Sequence, residues 1–525
     1  MPGLMAPDTQ QTAPPPEAPP AYTHGQIVRV ITGIMLCILL AALDQTVVIP
    51  AVPAIAADLN GFGHLAWIVS AYLLTSTAAT PIYGKLSDTY GRRALLLPAL
   101  AVFILASVLC ALARSLPELI AARALQGLGG AGLMAMAQAA VADVVAPRER
   151  GRYQGYMASM WGLASIAGPV VGGYVTDHLS WRWVFWINLP VGLAAMWLCD
   201  RALRILPVRR ERARLDLLGA ALLVAGIVSW LLVLSWGGVD YPWASPQVLG
   251  LGVAGSASLL ALAAWERRAA DPILPPRLFR DPVFLRGVCI AFLTSIGLFG
   301  ATVLLPLHFQ LLLGADASRA GLWVVPFLAA TVAGAFAGGQ AARRSGRTKA
   351  VVVAGLLGCA GGFVLLGVLP AAAPLWLVLP CTALLGFGMG ATLPTVLMLV
   401  QNAAERRDVG AATGALLFLR SMGGAFGSTL VGSVLAARFA AGLSAAGIAG
   451  EGVNLGALRH GAEHLSALGP LAGEAARGAL AGAFHWAFLA CAGAVVLAAV
   501  IAAGMRDQVL RSSEAPRDAG PAAGH

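Results

Sequence analysis

Apolar runs of about 20 residues follow one another along nearly the whole chain, each long enough to cross the hydrocarbon layer of a bilayer as a helix. In that layer only helices and closed barrels satisfy every backbone hydrogen bond, so few folds remain open. Composition points the same way: of 525 residues 58% are apolar and 11% charged, far too apolar for a soluble domain of this length. The predicted spans lie at 27–49, 66–83, 94–113, 117–142, 153–176, 182–200, 216–236, 247–266, 283–309, 318–342, 350–370, 373–400, 408–437 and 479–505, fourteen in all.

The turns between spans recur. Gly84-Lys85-Leu86-Ser87-Asp88-Thr89-Tyr90-Gly91-Arg92-Arg93 joins spans 2 and 3, and Gly339-Gln340-Ala341-Ala342-Arg343-Arg344-Ser345-Gly346-Arg347 joins spans 10 and 11. Gly84, Gly91 and Arg92 match Gly339, Gly346 and Arg347 at a constant offset of 255. At a second offset, 259, Gly127 and Gly129 match Gly386 and Gly388, and Gly151, Gly155 and Gly168 match Gly410, Gly414 and Gly427. Internal repeats of this kind mark many secondary transporters. The predicted fold is therefore an all-α membrane protein of two six-helix halves, spans 1–6 and 9–14, with spans 7 and 8 inserted between them. The layout is a cytoplasmic tail over 1–24, a first half over 25–200, a linker with the inserted spans over 201–282, a second half over 283–506 and a tail over 507–525. Seven prolines in the first twenty residues predict disorder there, and the tail lacks the basic-then-apolar pattern of a cleaved signal peptide. The Gly- and Ala-rich outer stretch 438–478 is expected to be irregular.

The net charge of +10 does not form a basic face for nucleic acid; it sits in short loops. With the N-terminus inside, 27 of the 35 basic residues fall in inner segments and six in outer ones, which by the positive-inside rule places both termini in the cytoplasm of a cytoplasmic-membrane protein. All seven cysteines lie inside predicted spans, without disulfide or metal-type spacing, and read as small apolar side chains. His460 and His464 lie four apart in the outer loop with no further ligand pattern, so no metal is expected.

Asp44 is the strongest functional candidate, the only carboxylate deep within a predicted span. Such a group costs about 2.5–3.5 kcal/mol on insertion scales, so it is not expected to stand there without a function. Burial favours the neutral form of a carboxyl group, which suits a proton carrier; the alternative is a structural acid that locks span 1. Arg123 enters span 4 from the outer side to a similar depth, with Gln126 at i+3 on the same face. An arginine beside an acid favours its charged form, and moving it away lets the acid take up a proton; a static ion pair is the alternative. Neither Arg123 nor Gln126 recurs in span 12, where Thr382 and Leu385 stand, and this asymmetry favours function. Gly168, Pro169, Gly172 and Gly173 on span 5, like Gly127, Gly129, Gly130 and Gly132 on span 4, mark close helix contacts and a bend. Asp88, with Arg92 and Arg93, can cap a neighbouring helix N-terminus and hold one side shut, or serve as a solvated turn charge. Gln45, Arg420 midway along span 13 and His308 near the outer end of span 9 are candidates for the substrate cavity; Arg420 contacts an anionic group or plays a structural part. His308 and His485, near the outer ends of spans 9 and 14, read either as proton relays or as packed or interfacial histidines.

These residues resemble the major facilitator superfamily, specifically its fourteen-helix drug:proton antiporter family. The Gly84–Arg93 turn resembles that superfamily's loop between helices 2 and 3, and Arg123-Ala124-Leu125-Gln126-Gly127-Leu128-Gly129-Gly130 its helix 4 motif. Gly168-Pro169-Val170-Val171-Gly172-Gly173 is similar to the helix 5 motif of antiporters. Leu43-Asp44-Gln45-Thr46 and Trp181-Arg182-Trp183-Val184-Phe185-Trp186-Ile187-Asn188-Leu189-Pro190 resemble hallmarks of the fourteen-helix branch. Three features depart from the pattern: Ala164 in place of a frequent glycine, Thr89 in place of a basic residue, and no acid in spans 10 or 13. The last disfavours dicationic substrates. The resemblance implies exchange of inward-moving protons for outward-moving lipophilic compounds by a monomer, without any cofactor besides the coupling proton, its partners being the compound and membrane lipid. The cavity is expected between spans 1, 4 and 5 and spans 9, 12 and 13, near the midplane. Alternatives are an importer or a dedicated exporter of one metabolite or self-made antibiotic and, in another class, a non-transporting sensor. A membrane-embedded enzyme would need a cluster of reactive side chains at one depth, and one acid with one arginine does not supply it.

Overall fold

The computed structural model describes residues 22–59, 66–146, 149–205, 216–238, 240–371, 373–447 and 470–505. Most of the predicted N-terminal tail, the tail over 507–525, residues 206–214 of the arginine-rich linker and the middle of the outer stretch 438–478 lie outside the described residues.

Every regular element described is helical. The first half holds α1 (His24–Asp58), α2 (Ala66–Tyr90), α3 (Arg92–Leu112), α4 (Leu116–Val144), α5 (Arg150–His178) and a broken rod made of α6 (Trp183–Trp186) and α7 (Asn188–Ala202). The insert is α8 (Leu217–Trp236) and α9 (Pro246–Trp265), followed by a short α10 (Pro276–Arg280). The second half holds α11 (Pro282–Leu311), α12 (Ala317–Ser345), α13 (Thr348–Val368), α14 (Leu375–Ala403), α15 (Val409–Ala445) and α16 (Pro470–Ala503).

Among the described residues twelve helical segments are long and apolar enough to cross a membrane, fewer than the fourteen expected. The two that fall short in composition are α2 and α5, which are 25 and 29 residues long. Each packs against the opposite half, α2 on α15 and α5 on α12. A helix face that meets protein need not be uniformly apolar, and these two carry Thr75, Thr77, Thr80, Ser159 and Ser165.

Helix starts follow local chemistry. Thr23 caps α1 in a reciprocal box with Gln26. Asp281 accepts from the backbone N–H of Val283 and Phe284 with Pro282 in the first position, and Ser245 with Pro246 starts α9 in the same way. Several boundaries move. α2 runs to Tyr90, so most of the Gly84–Arg93 turn is helical. α15 reaches Ala445 and α16 starts at Pro470, so both ends of the stretch 438–478, expected to be irregular, are helical. α1 continues through Pro50 and Pro53 to Asp58 rather than ending near residue 49. A proline removes one helical hydrogen bond and bends the rod, and the apolar stretch 51–57 keeps the helix packed beyond it.

The repeat is visible as contacts. Gly84 of α2 meets Gly410 of α15 backbone to backbone, and Gly339 of α12 meets Gly151 of α5 in the same manner. These are the glycines that recur at offsets 255 and 259, so each half's second helix lies against the other half's fifth. A Cβ at Gly84 would collide with the Gly410 carbonyl, which explains why these positions hold no side chain. Each half has its own core. Ile34, Leu100, Phe103 and Met136 centre the first, and Phe284, Phe309, Phe363 and Phe488 the second. The insert joins across them: Leu223, Ile227 and Leu231 of α8 pack with Leu74 and Ala78 of α2 and with Phe418 and Met422 of α15.

Candidate functional site

Asp44, Arg123 and Gln126 come together inside the first half, none of them more than 1% exposed. Arg123 Nη1 donates to Asp44 Oδ2 at 2.7 Å and to Gln126 Oε1 at 2.6 Å, while its Nε donates to the backbone carbonyl of Ile68 at 3.1 Å. Gln126 Nε2 donates to Asp44 Oδ1 at 2.8 Å and to Ser107 Oγ at 2.6 Å. Asn188 Nδ2 supplies a further donor to Asp44 Oδ1 at 2.7 Å and reaches Ser107 Oγ at 3.3 Å. The guanidinium carbon lies 4.6 Å from the centre of the Tyr72 ring and 5.9 Å from that of Phe185. Five helices thus converge on one carboxylate: α1, α2, α3, α4 and α7. Three donors face its two oxygens, an arrangement suited to a group that accepts and does not donate. Every polar atom added to so buried a site needs a partner, and adding a proton to Asp44 would set a donor against donors.

Asn188 and Ser107 are not singled out by the sequence. Asn188 lies within the Trp181–Pro190 run, and its only local signal is an amide in an otherwise apolar rod. It starts α7 just after the break at Ile187, which turns its side chain inward. Ser107 on α3 carries no such signal.

A second constellation closes one end of the bundle. Asp88, near the end of α2, accepts from the backbone N–H of Gly410 through Oδ1 and of Ala411 through Oδ2, each at 2.8 Å, and so caps the first turn of α15. Arg92 pairs with Asp88 at 2.7 Å, donates to Asp143 at 2.8 Å, and also donates to Ser87. Arg93 reaches Asp200 at the end of α7, 2.5 Å away. Gly91 has φ of 89°, a left-handed value that lets the chain reverse directly into α3. The charges invert in the second copy. Arg343 stands where Asp88 stands and approaches Glu149 at 3.4 Å, the counterpart of Asp408. Asp408 is held by Arg277 of α10 through two 2.8 Å hydrogen bonds, and Lys85 of α2 pairs with Asp271 at 3.3 Å. The segment after the insert is thereby tied to both halves.

The remaining candidates are scattered. Gly168 and Gly172 of α5 press against Thr46 and Val47 of α1, whereas Gly173 faces open space and Pro169 sits inside the helix. Thr46 also donates to the Ala164 carbonyl at 2.8 Å, across the same contact. Gln45 is half-buried and donates to Ala41 O at 3.3 Å. Arg420 is half-buried midway along α15 and has no hydrogen-bond or ionic partner among the described residues. His308 lies within the second half, edge-on to Phe309, Phe484 and Phe488, with Nδ1 unpartnered among the described residues, so it is packed among rings rather than placed between the halves. His485 Nδ1 donates to the Gly367 carbonyl oxygen at 2.7 Å.

Comparison with known proteins agrees with this architecture. The profile described as Major Facilitator Superfamily matches residues 34–428. The multidrug transporter protein MdtP of Bacillus subtilis is 38% identical over 410 residues, covering 78% of this chain and 75% of that protein. Multidrug resistance protein 3 of the same organism is 33% identical over 405 residues, covering 77% and 79%. Among solved structures, the human organic anion transporter MFSD10 shares the fold with a TM-score of 0.61 at 18% identity, covering 91% of this chain and 99% of that one.

Proposed function

This chain belongs to the major facilitator superfamily, and from that premise we propose that it is a proton-coupled exporter of lipophilic small molecules, working by alternating access in the cytoplasmic membrane with both termini inside. Its multidrug-transporting relatives support the class of cargo. The observation that carries the coupling is Arg123, which bridges the sealed Asp44 carboxylate and the Ile68 carbonyl of α2. Protonation of Asp44 removes the counter-charge of Arg123 and forces at least one of the three donor contacts to break. Arg123 then shifts against α2, whose far end carries Asp88, about 30 Å away at 1.5 Å per residue. A rigid α2 transmits that shift to the contact with α15, releasing the cytoplasmic end. The proton thus enters from outside, the Asp88 latch opens inward, and the exported compound occupies the space between the halves.

Arg420 favours cargo that bears an acceptor or anionic group, since a guanidinium without a partner inside a membrane bundle binds one strongly. The superfamily's members are typically non-enzymatic, and transport here requires only rearranged hydrogen bonds. The test is accumulation of a lipophilic dye in cells expressing wild type, Asp44→Asn or Arg123→Ala, with and without a proton uncoupler. Low accumulation in wild type alone, abolished by the uncoupler, is the expected result. Equal accumulation in wild type and Asp44→Asn removes Asp44 from the mechanism.

A further inference from the structure

The two seams between the halves are not alike. The α2–α15 seam is covered by α8, whereas neither α8 nor α9 packs against α5 or α12. In that second seam, beside the Gly151–Gly339 contact, lies a cavity of about 440 Å³ lined by Arg152, Tyr156, Phe336, Ala337, Gln340 and Arg343. Arg152 donates through Nε to the Tyr156 hydroxyl at 3.0 Å, with its guanidinium 5.7 Å from the ring centre, and its terminal N–H groups have no partner among the described residues. Tyr156 stands edge-on to Phe336, with ring centres 5.4 Å apart, and so bridges α5 and α12. Among the described residues Arg343 makes only the long 3.4 Å contact to Glu149, with both side chains more than a third exposed. One arginine comes from each half.

We propose that this cavity binds the phosphate of an anionic phospholipid headgroup, with the acyl chains lying along the outside of α5 and α12. Arg152 lies in the first turn of α5 and Arg343 in the last turn of α12, the depth at which spanning helices meet headgroups. Two guanidinium forks with free N–H groups suit phosphate oxygens, and Gln340 adds an amide. Farther along α5, Leu163, Ile166 and Val170 are 51%, 47% and 68% exposed and offer an apolar wall for chains. The repeat gives the site a role. At the α2–α15 seam the protein supplies its own acid, Asp88, to close the end; at the α5–α12 seam the equivalent residue is Arg343, and the lipid phosphate supplies the acid. A headgroup held by both halves stabilises the closed end, whatever compound is transported.

The test uses the purified full chain stripped of lipid in detergent micelles, with binding counted by native mass spectrometry. The probes are dioleoyl phosphatidylglycerol, dioleoyl phosphatidylcholine and inorganic phosphate. The expected result is a preference for phosphatidylglycerol of about tenfold or more, lost by at least about tenfold in Arg152→Gln/Arg343→Gln and kept in Arg344→Gln. Should the glutamine pair fail to fold by its thermal midpoint, Arg152→Lys/Arg343→Lys retains the charge and is expected to keep a preference for the anionic lipid. Equal binding of the two lipids, or an unchanged preference in the glutamine pair, overturns the site. Displacement of the lipid by millimolar inorganic phosphate also overturns it, because a free-anion site needs no acyl chains.

Discussion

Asp88→Asn preserves the shape of the side chain and removes its charge. The carboxylate accepts from two backbone N–H groups of α15, each at 2.8 Å, and from Arg92 at 2.7 Å. An amide has one acceptor oxygen, and its NH₂ group turns toward a backbone donor. One charge-assisted hydrogen bond is lost, about 1.5–3 kcal/mol, with a further 0.3–1 kcal/mol or so from the positive end of α15. Arg92 keeps Asp143 at 2.8 Å, so the loss falls mainly on the contact between the halves. In the opened state residue 88 meets water in either form and repays part of that sum. The net shift is about 2–3 kcal/mol against the closed end, roughly 30- to 150-fold in the open-to-closed ratio at about 1.4 kcal/mol per tenfold. Spin labels at two exposed positions, Tyr90→Cys at the end of α2 and Arg407→Cys just before α15, report it by pulsed electron resonance. A second, longer distance is expected in Asp88→Asn. Arg343→Gln, which loses a 3.4 Å exposed pair worth under about 1 kcal/mol, is expected to change little at this seam. Identical distance distributions for wild type and Asp88→Asn would refute the latch.

Arg123→Ala leaves the buried Asp44 without its counter-charge, at a cost of about 3–5 kcal/mol; a lowered thermal midpoint in detergent, partly restored by adding Asp44→Asn, is the expected outcome. Gly410→Leu drives a side chain into the Gly84 carbonyl and the Asp88 carboxylate, so the labelled distance lengthens and transport is lost while the helical content stays. Glu266, just past α9, has its carboxyl raised above the ordinary value, chiefly by burial. The folded chain then holds a proton that the unfolded chain has released, so this group's contribution is full at low pH. It is lost as pH rises from the ordinary carboxylate value through the raised one; Glu266→Gln, which keeps an acceptor for Ile273 and Leu274, is expected to flatten that part of a pH scan of thermal midpoints.

The duplicated turns carried much of the fold. Glycines matched at offsets of 255 and 259 turn out to meet across the halves, Gly84 on Gly410 and Gly151 on Gly339, because a six-helix unit used twice sets the second helix of each copy against the fifth of the other. Asp44 and Arg123 were legible because charge in an apolar run is rare, and two such residues at one depth have few other partners. Asn188 and Ser107 were not, since an amide or hydroxyl at a helix start or inside a span is common and only the packing of α3 and α7 turns them toward Asp44. Pro50 suggests an end to α1 that the fold does not make, because there a rule about local hydrogen bonding yields to packing. Among the described residues twelve helical segments have both the length and the apolarity of a membrane span; α2 and α5 have the length, and their polar faces meet the partner half. What the insert does was beyond reach, because the Lys85–Asp271 and Arg277–Asp408 pairs join residues more than 130 positions apart.

Whether Asp44 carries the coupling proton is tested most directly in proteoliposomes holding a pH-sensitive dye, with the purified protein and an imposed gradient of a lipophilic substrate. Wild type is expected to move protons against the substrate flux, and Asp44→Asn to lose proton movement while still binding substrate. Substrate-driven proton movement that persists in Asp44→Asn would contradict the mechanism.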